Sequence, residues 1–233
     1  MRIAIITGAS VGIGSATAAR FAAADYRVYN LSRRECPLPG VRNIHTDLSS
    51  ADSITAACEQ LLPEVRAADS VALVHNASQM RKDSTTACDS EDLRQVLETN
   101  VVAVNSVNQA LLGALPAGSS LLYVGSTLSE KAVANSFSYV LSKHAQLGMM
   151  RASCQDLMGS GVHTALVCPG FTDTEMLRTH LGNDDTVLQA IAAGNSFGRL
   201  IEPDEIAALL FWAHENPVIN GAVLHANLGQ RES

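Results

Sequence analysis

Short runs of apolar, β-branched residues alternate with helix-length segments along the whole chain, and this alternation constrains the fold more than any other feature. Runs such as 71–74 and 121–124 are continuously apolar, which is typical of strands buried on both faces of a parallel sheet. The alternation predicts an α/β fold with a doubly wound parallel sheet, three layers (α/β/α) and a single domain over 1–233. We predict strands near 2–7, 26–31, 42–46, 70–75, 119–125, 162–168 and 222–226, and helices near 13–24, 50–67, 90–114, 138–158 and 203–215.

The stretch 171–200 breaks this alternation and is rich in turn residues around 182–185. A long insertion after a strand end in a compact domain is more often functional than not. We therefore predict a substrate lid around 171–200, with a plain surface excursion as the alternative.

Composition excludes several classes of protein. Hydrophobic residues make up 47% of the chain and charged residues 17%, which is enough for a large buried core. The formal charge of -7 argues against nucleic acid and anionic membranes as partners, because phosphate binding needs a basic surface. Five scattered cysteines with no Cys-x-x-Cys predict reduced thiols, and the histidines have no metal-ligand spacing, so we predict no metal site. With no bilayer-length apolar run and no signal peptide, these features predict a cytoplasmic location.

A glycine-rich loop follows the first predicted strand and opens into the first helix. It contains Gly8, Ser10, Gly12, Ile13 and Gly14. Glycines allow a tight turn and close approach of the backbone to a pyrophosphate, while the helix N-terminus offers N–H groups and partial positive charge. The position at the first βα junction predicts a dinucleotide site in a Rossmann-type fold, although the spacing is a variant of the usual motif.

Tyr139 and Lys143 are four residues apart in a predicted helix and share one face. A free phenol has a pKa of about 10, and a neighbouring ammonium favours the phenolate. Ser126 lies thirteen residues before Tyr139, just past a predicted strand, where its hydroxyl could hold a substrate oxygen. The Tyr-x3-Lys pair alone is common on helices and carries little weight.

The end of the second strand bears on cofactor choice. NAD-binding proteins of this fold carry an acidic residue there, which binds the ribose 2′-hydroxyl. Here Ser32 stands at that position and Arg33 follows, so no carboxylate repels a 2′-phosphate and a guanidinium is available to bind it. We predict NADP(H) rather than NAD(H). The alternative is that Arg33 and Arg34 are solvated loop charges.

Taken together, the motifs resemble the short-chain dehydrogenase/reductase family, in its shorter single-domain branch, over essentially the whole chain. The resemblance implies that Tyr139 is the general acid/base and that Ser126 orients and polarises the carbonyl. Lys143 would lower the pKa of Tyr139 and bind the nicotinamide ribose, and Asn100 would hold a water that links Lys143 to solvent. The residues that carry the resemblance are Thr7, Gly8, Gly12, Gly14, Asp47, 75–78, Asn100, Ser126, Tyr139, Lys143, Pro169 and Gly170.

The family pattern also implies further cofactor contacts and shows two departures. Asp47, with Leu48 beside it, matches the residue that contacts the adenine ring, although Asp47 could instead cap the next helix. The family's Asn-Asn-Ala-Gly becomes His-Asn-Ala-Ser at 75–78, and its C-terminal Asp-Gly-Gly is replaced around 227–229. The remaining implied contacts are Asn76 and Ala77, which line the cofactor, Pro169, Gly170 and Thr172 on the nicotinamide side, and Thr174 at the start of the lid.

The function implied is an NADP(H)-dependent oxidoreductase that moves a hydride between nicotinamide and a small-molecule carbonyl or secondary alcohol. A non-catalytic dinucleotide-binding regulator is the alternative, although such proteins usually lose the tyrosine or lysine. Nucleotide-sugar epimerases or dehydratases share Tyr-x3-Lys but are longer, with a second domain. Apolar residues on several faces of 90–114 and 138–158 predict a homotetramer or homodimer.

Overall fold

The computed structural model describes residues 1–231 and confirms the predicted parallel sheet. The seven strands pair in the order β3-β2-β1-β4-β5-β6-β7, every neighbouring pair being parallel. Each predicted strand is found within about two residues of its expected bounds. The strands are β1 (Arg2–Thr7), β2 (Arg27–Ser32), β3 (Arg42–His45), β4 (Ser70–His75), β5 (Ser120–Val124), β6 (His163–Pro169) and β7 (Ala222–Ala226).

Helices cover both faces of the sheet, as the doubly wound fold requires. Successive residues of β1 alternate between two cores: Ile3 and Ile5 pack with α2, α4 and α5, while Ala4 and Ile6 pack with α1 and α8. The helices are α1 (Gly12–Ala23), α2 (Ala51–Arg66), α3 (Ser90–Leu97), α4 (Ala103–Leu111), α5 (Phe137–Asp156), α6 (Glu175–His180), α7 (Asp185–Ala192) and α8 (Pro203–Glu215). No helix within 1–231 is long and apolar enough to cross a membrane.

The single helix predicted over 90–114 is interrupted, and that prediction is corrected. A π-helical turn, Glu98–Val102, separates α3 from α4, and a 3-10 turn follows at Leu112–Ala114. The wide turn is centred on Asn100, whose backbone carbonyl accepts a hydrogen bond from the Gln146 side chain at 2.7 Å. The π turn thus occurs where a helix carbonyl accepts a hydrogen bond from a side chain outside the helix. Such π turns are frequent at functional sites.

The 171–200 stretch contains two short helices that the sequence pattern did not predict. Thr174 caps α6 by accepting from the Leu177 N–H, and Asp184 caps α7 by accepting from two backbone N–H groups. Between them Gly182 and Asn183 have positive φ angles of 72° and 56°, so the turn residues were interpreted correctly. The two ends of the segment are joined to each other by hydrogen bonds between 171–173 and Ile201.

The sheet order places four chain segments at one edge. The chain reverses direction across the sheet between β1 and β4, and ligands of doubly wound folds bind at such a point, beyond the carboxyl ends of the strands. Gly8 follows β1, Asn76 follows β4, Ser126 follows β5 and Gly170 follows β6. The fold therefore brings the predicted glycine loop and the predicted catalytic serine to the same edge.

Candidate active site

A cavity of about 740 Å³ runs along this edge, within the size range of small-molecule and cofactor sites. Asn100 and Gly14 are the only predicted site residues that do not line it, but each contacts residues that do: Asn100 bonds to Gln79, and Gly14 packs against Gly8 and Asn76. The predicted residues that do line it are Gly8, Ser10, Gly12, Ile13, Ser32, Arg33, Asp47, Leu48, Asn76, Ala77, Ser126, Tyr139, Lys143, Pro169, Gly170 and Thr172.

The glycine loop is held by the end of β4. The Asn76 side-chain amide donates to the carbonyl oxygens of Thr7 and Gly8, at 3.0 and 2.9 Å. Gly14 lies against this junction: a Cβ at that position would stand 2.2 Å from the Gly8 carbonyl oxygen and 2.5 Å from Asn76 Nδ2. The loop thus has the close backbone packing that a cofactor cradle requires, and a side chain at position 14 would disrupt it.

The far end of the cavity carries the predicted 2′-phosphate determinants. Ser32, Arg33 and Arg34 all line it. Arg34 pairs with Glu175 of α6 at 3.2 Å, but both side chains are more than half exposed, so this ion pair contributes little. Asp47 does not cap α2, because Ser50 does; its carboxylate instead accepts from the backbone and hydroxyl of Ser49.

Ser126 is positioned by a short 3-10 turn, Thr127–Ser129, at the end of β5. Its Oγ accepts from the Leu128 N–H at 3.1 Å, and its own N–H donates to Ser129 Oγ at 3.2 Å. Because one Oγ lone pair is engaged by the backbone, the hydroxyl proton is directed to other acceptors, and interaction with Ser126 lowers the pKa of Tyr139.

Tyr139 and Lys143 are both buried, and burial shifts their pKa values in opposite directions. Desolvation raises the pKa of Tyr139 to about 12, against the lowering effect of the Ser126 hydrogen bond. Desolvation lowers the pKa of Lys143 to about 7. Burial is the largest effect on the pKa of each group, and the role of Lys143 in lowering the pKa of Tyr139 stays a prediction. The ammonium lies 5.4 Å from the centroid of the Tyr139 ring.

Asn100 and Lys143 are linked by a residue that the sequence analysis missed. Asn100 Oδ1 accepts from the Gln79 N–H at 2.6 Å, and its Nδ2 donates to Gln79 O and to Ser142 Oγ. Gln146 lies between Asn100 and Lys143 and hydrogen-bonds both. Its signal was its position: residues 139, 143 and 146 are spaced i, i+4, i+7 on one helix face.

The departures at 75–78 have different consequences. His75 is buried, its Nε2 contacts Asn108 Oδ1 at 2.7 Å, and burial lowers its pKa to about 4, so it is a neutral packing residue. Ser78 lines the cavity, and its buried hydroxyl has no hydrogen-bond partner among residues 1–231. The serine is accommodated at a position where the family has glycine.

The cavity also has an apolar wall that the sequence did not single out. His180, which is half-buried, and Gln230 add polar groups. Because this wall comes largely from 171–200 and from the loop after Ser126, its composition depends on the least regular parts of the chain. The apolar lining residues are Met80, Leu128, Val133, Phe171, Met176, Leu177, Leu181 and Ile191.

Comparison with known proteins identifies the family. The family model described as "Enoyl-(Acyl carrier protein) reductase" matches residues 8–231. The chain is 30% identical over 222 residues to 2,3-dihydro-2,3-dihydroxybenzoate dehydrogenase of Escherichia coli K12, an alignment that covers 90% of this chain and 88% of the relative. It is 27% identical over 240 residues to the 3-oxoacyl-[acyl-carrier-protein] reductase FabG of Vibrio cholerae, covering 98% and 96%.

Solved structures agree over the same length. A short chain dehydrogenase family protein of Francisella tularensis superimposes with a TM-score of 0.90 at 26% identity and 98% coverage of both chains. A short chain dehydrogenase of Burkholderia cenocepacia in complex with NADP superimposes with a TM-score of 0.85, also at 26% identity, covering 98% of this chain and 97% of that one. The chain belongs to the short-chain dehydrogenase/reductase family and is an NAD(P)-dependent oxidoreductase.

Proposed function

We propose that this protein uses NADP(H) to interconvert a carbonyl and a secondary alcohol, with Tyr139 as the proton-transfer group. The observation that carries the proposal is one continuous cavity lined by the glycine loop at one end and by Ser126, Tyr139 and Lys143 at the other. A dinucleotide-binding regulator would have no need of a buried phenol and a buried amine facing its cavity.

The roles follow from the position and chemistry of each side chain. Tyr139, protonated near neutral pH, donates a proton to the carbonyl oxygen in the reduction direction and accepts one in the reverse direction. Ser126, whose Oγ is fixed by the Leu128 N–H, donates to the same oxygen and orients it. Lys143, anchored beside Tyr139, contributes a cation that favours the phenolate whenever it is protonated.

The residues present fit a dinucleotide. A side chain at position 14 would clash with the Gly8 carbonyl, and the glycine loop opens onto the cavity at the start of α1. There, backbone N–H groups and the helix dipole favour a phosphate. Gly8, Ser10, Gly12 and Ile13 would hold the pyrophosphate side, and Asp47 and Leu48 the adenine side. Lys143, Pro169, Gly170 and Thr172 would hold the nicotinamide side. When bound, the nicotinamide supplies or accepts the hydride.

The preference for NADP(H) rests on Ser32, Arg33 and Arg34. No carboxylate stands at the end of β2, and Arg33 lines the cavity directly after Ser32. Losing one charge-assisted contact to a 2′-phosphate costs about 1.5–3 kcal/mol, or roughly ten- to a hundredfold in affinity. Titration of wild type and Arg33→Ala with both cofactors tests this. Equal affinity of wild type for NADH and NADPH, or an equal loss for both in the variant, would overturn the preference.

The proton-transfer role is tested with Tyr139→Phe. The change keeps the ring and removes the hydroxyl, so NADPH should still bind while turnover of a carbonyl substrate falls by roughly 10²–10⁴-fold or more. Wild type is first assayed by NADPH consumption against a broad carbonyl panel. A Tyr139→Phe enzyme with near-wild-type turnover would remove Tyr139 from the mechanism, and a wild type that binds NADPH but reduces nothing would favour a regulator.

We further propose that 171–200 acts as the substrate lid. Its support is that Met176, Leu177, Leu181 and Ile191 form much of the apolar wall of the cavity that Tyr139 also lines. An apolar wall of this kind suits a substrate whose carbonyl is attached to a hydrocarbon chain or ring. Met176→Gln should raise KM for such substrates more than it lowers kcat, and unchanged steady-state constants would argue against the lid.

Assembly and location complete the proposal. We propose a homotetramer or homodimer that uses 90–114 and 138–158, although within these segments Ala103, Val104 and Met150 are buried inside the protomer, while Val102 and Leu141 remain exposed. A stable monomer by light scattering at micromolar concentration would contradict this.

All five cysteines are free thiols, which supports a reducing compartment such as the cytoplasm.

A further inference from the structure

Gln146 is a fully buried glutamine on the helix that carries Tyr139 and Lys143. It is 1% exposed. Its Oε1 accepts a hydrogen bond from Lys143 Nζ at 3.0 Å, and its Nε2 donates to the backbone carbonyl of Asn100 at 2.7 Å. A buried amide costs free energy unless its polar atoms are paired, and here both ends are.

Two acceptors fix the direction of the Lys143 amine. Nζ donates to the Val124 carbonyl oxygen at 2.8 Å as well as to Gln146. An ammonium has three N–H donors, so with two engaged in the protein the third position faces the cavity that Lys143 lines. Val124 contributes a backbone atom of β5, whereas Gln146 contributes a side chain that the sequence could have filled with an aliphatic residue.

We propose that Gln146 is a positioning residue: it holds the Lys143 amine in place beside Tyr139 and stabilises its protonated form. The proposal rests on the proposed function, since positioning matters only if the pair transfers protons. An acceptor bonded to the charged form of an amine favours that form, which opposes the burial that lowers the pKa of Lys143.

Other groups near the amine do not explain this role. The titratable side chains that face Lys143 within the described chain are Tyr139, on the same helix, and Cys168 at the end of β6. Burial raises the pKa of the Cys168 thiol, so near neutral pH it carries no charge that could hold an ammonium. Gln146 is therefore the side chain left to stabilise that charge.

The link through Gln146 adds a direct connection between Lys143 and Asn100 to the water that the family resemblance implies. A water held by Asn100 would pass a proton from Lys143 to solvent, but here a carboxamide joins the Asn100 carbonyl to the amine. A carboxamide does not exchange donor and acceptor roles as readily as water or a hydroxyl does. The Lys143–Gln146–Asn100 connection thus orients the amine rather than conducting protons.

The test measures the pKa of Lys143 directly. The chain has only three lysines, Lys82, Lys131 and Lys143, so a protein with ¹³C at lysine Cε gives few NMR signals, and the Lys143 signal is assigned by its loss in Lys143→Ala. Gln146→Leu should lower the pKa of Lys143 by about one unit, since it removes a hydrogen bond to the charged form. Gln146→Glu, which places a carboxylate there, should raise it.

Asn108→Leu is the matched control. Asn108 is also a buried amide paired at both ends, to His75 and Tyr123, but it does not contact Lys143. The Asn108→Leu substitution should lower the free energy of unfolding about as much as Gln146→Leu does, and leave the pKa of Lys143 unchanged. In turnover, the alkaline limb of the pH profile for carbonyl reduction should shift to lower pH in Gln146→Leu and to higher pH in Gln146→Glu. It should stay at the wild-type pH in Asn108→Leu.

The outcomes separate this proposal from the proposed function. An unchanged Lys143 pKa in Gln146→Leu, or in Gln146→Glu should the leucine variant not fold, overturns the role of Gln146. The same holds if the pKa moves but the pH profile of an active enzyme does not. A wild type without turnover on any carbonyl overturns the proposed function instead, while the NMR titration still decides whether Gln146 stabilises the ammonium.

Discussion

Replacing Gly14 with alanine should damage the cofactor site more than the fold. The added Cβ would stand 2.2 Å from the Gly8 carbonyl oxygen, 2.5 Å from Asn76 Nδ2 and 2.9 Å from the Gly8 carbonyl carbon. Two of these three neighbours are backbone atoms, so no side-chain rotation relieves the contact. Reaching an ordinary separation requires the loop and α1 to move apart by about 1 Å, which also weakens the hydrogen bonds from Asn76 to the loop.

Two opposing effects set the magnitude for stability. Overpacking of this kind typically costs about 1–3 kcal/mol. Alanine in a helix regains about 0.5–1 kcal/mol over glycine. The net expectation is a loss of about 1–2 kcal/mol in the free energy of unfolding. The affinity for NADPH should fall by tenfold or more, because the displaced loop is the part that approaches the pyrophosphate.

The assay pairs urea unfolding with fluorescence titration of NADPH. Gly113→Ala is the control: a Cβ there meets nothing within 4 Å, and the residue lies away from the cavity, so stability and affinity should stay close to wild type. A Gly14→Ala protein that binds NADPH as tightly as wild type and is no less stable would refute the argument that this close approach defines the cradle.

Three further predictions concern charge and orientation. Lys143→Ala should weaken NADPH binding and shift the pH optimum upward, since one amine serves both the ribose and the phenol; a change in only one property would contradict the dual role. Ser126→Ala should lower kcat by roughly 10²-fold with cofactor affinity retained, and a loss confined to NADPH binding would assign Ser126 to the cofactor instead. Burial lowers the pKa of His214 from 6.5 to about 4. Its neutral form therefore contributes fully to the free energy of unfolding above pH 6.5. That contribution, about 3 kcal/mol at most, is lost as the pH falls toward 4. His214→Gln should therefore narrow the difference in unfolding free energy between pH 7.5 and pH 5, and an unchanged difference would contradict this.

The regular part of the fold could be predicted from the sequence because its patterns are strong and local. Most of the strands were predicted from apolar runs, since strands covered on both faces leave few polar residues within them. The edge strand β3 is the exception, with only Ile44 buried. The helix break at Asn100 could not be predicted, because it occurs where the Asn100 carbonyl accepts a hydrogen bond from Gln146, 46 residues away in the chain. Helices α6 and α7 were missed because six- and eight-residue helices show too little periodicity against the turn residues around them.

Site residues could be predicted from the sequence where their residue type and the end of the preceding strand were enough to locate them. The parallel sheet brings every strand's carboxyl end to one edge, so Gly8, Asn76 and Ser126 had to meet there once the strands were placed. The apolar wall from 171–200 was not predictable, since it depends on how an irregular segment folds back over that edge. Gln146 was missed for a related reason: its position on the helix face of Tyr139 and Lys143 becomes informative only once its burial is known.

Burial also shapes the electrostatics of the site, and residue spacing alone does not reveal burial. Four-residue spacing correctly placed the Lys143 amine near the Tyr139 ring, and a nearby cation does favour a phenolate. The same environment that brings the two groups together removes water from both, and this raises the pKa of the phenol while it lowers that of the amine. Each group therefore needs local hydrogen bonds to ionise: Ser126 assists Tyr139, and the Val124 carbonyl and Gln146 assist Lys143. Proton transfer by the pair thus depends on these partners as much as on the pair itself.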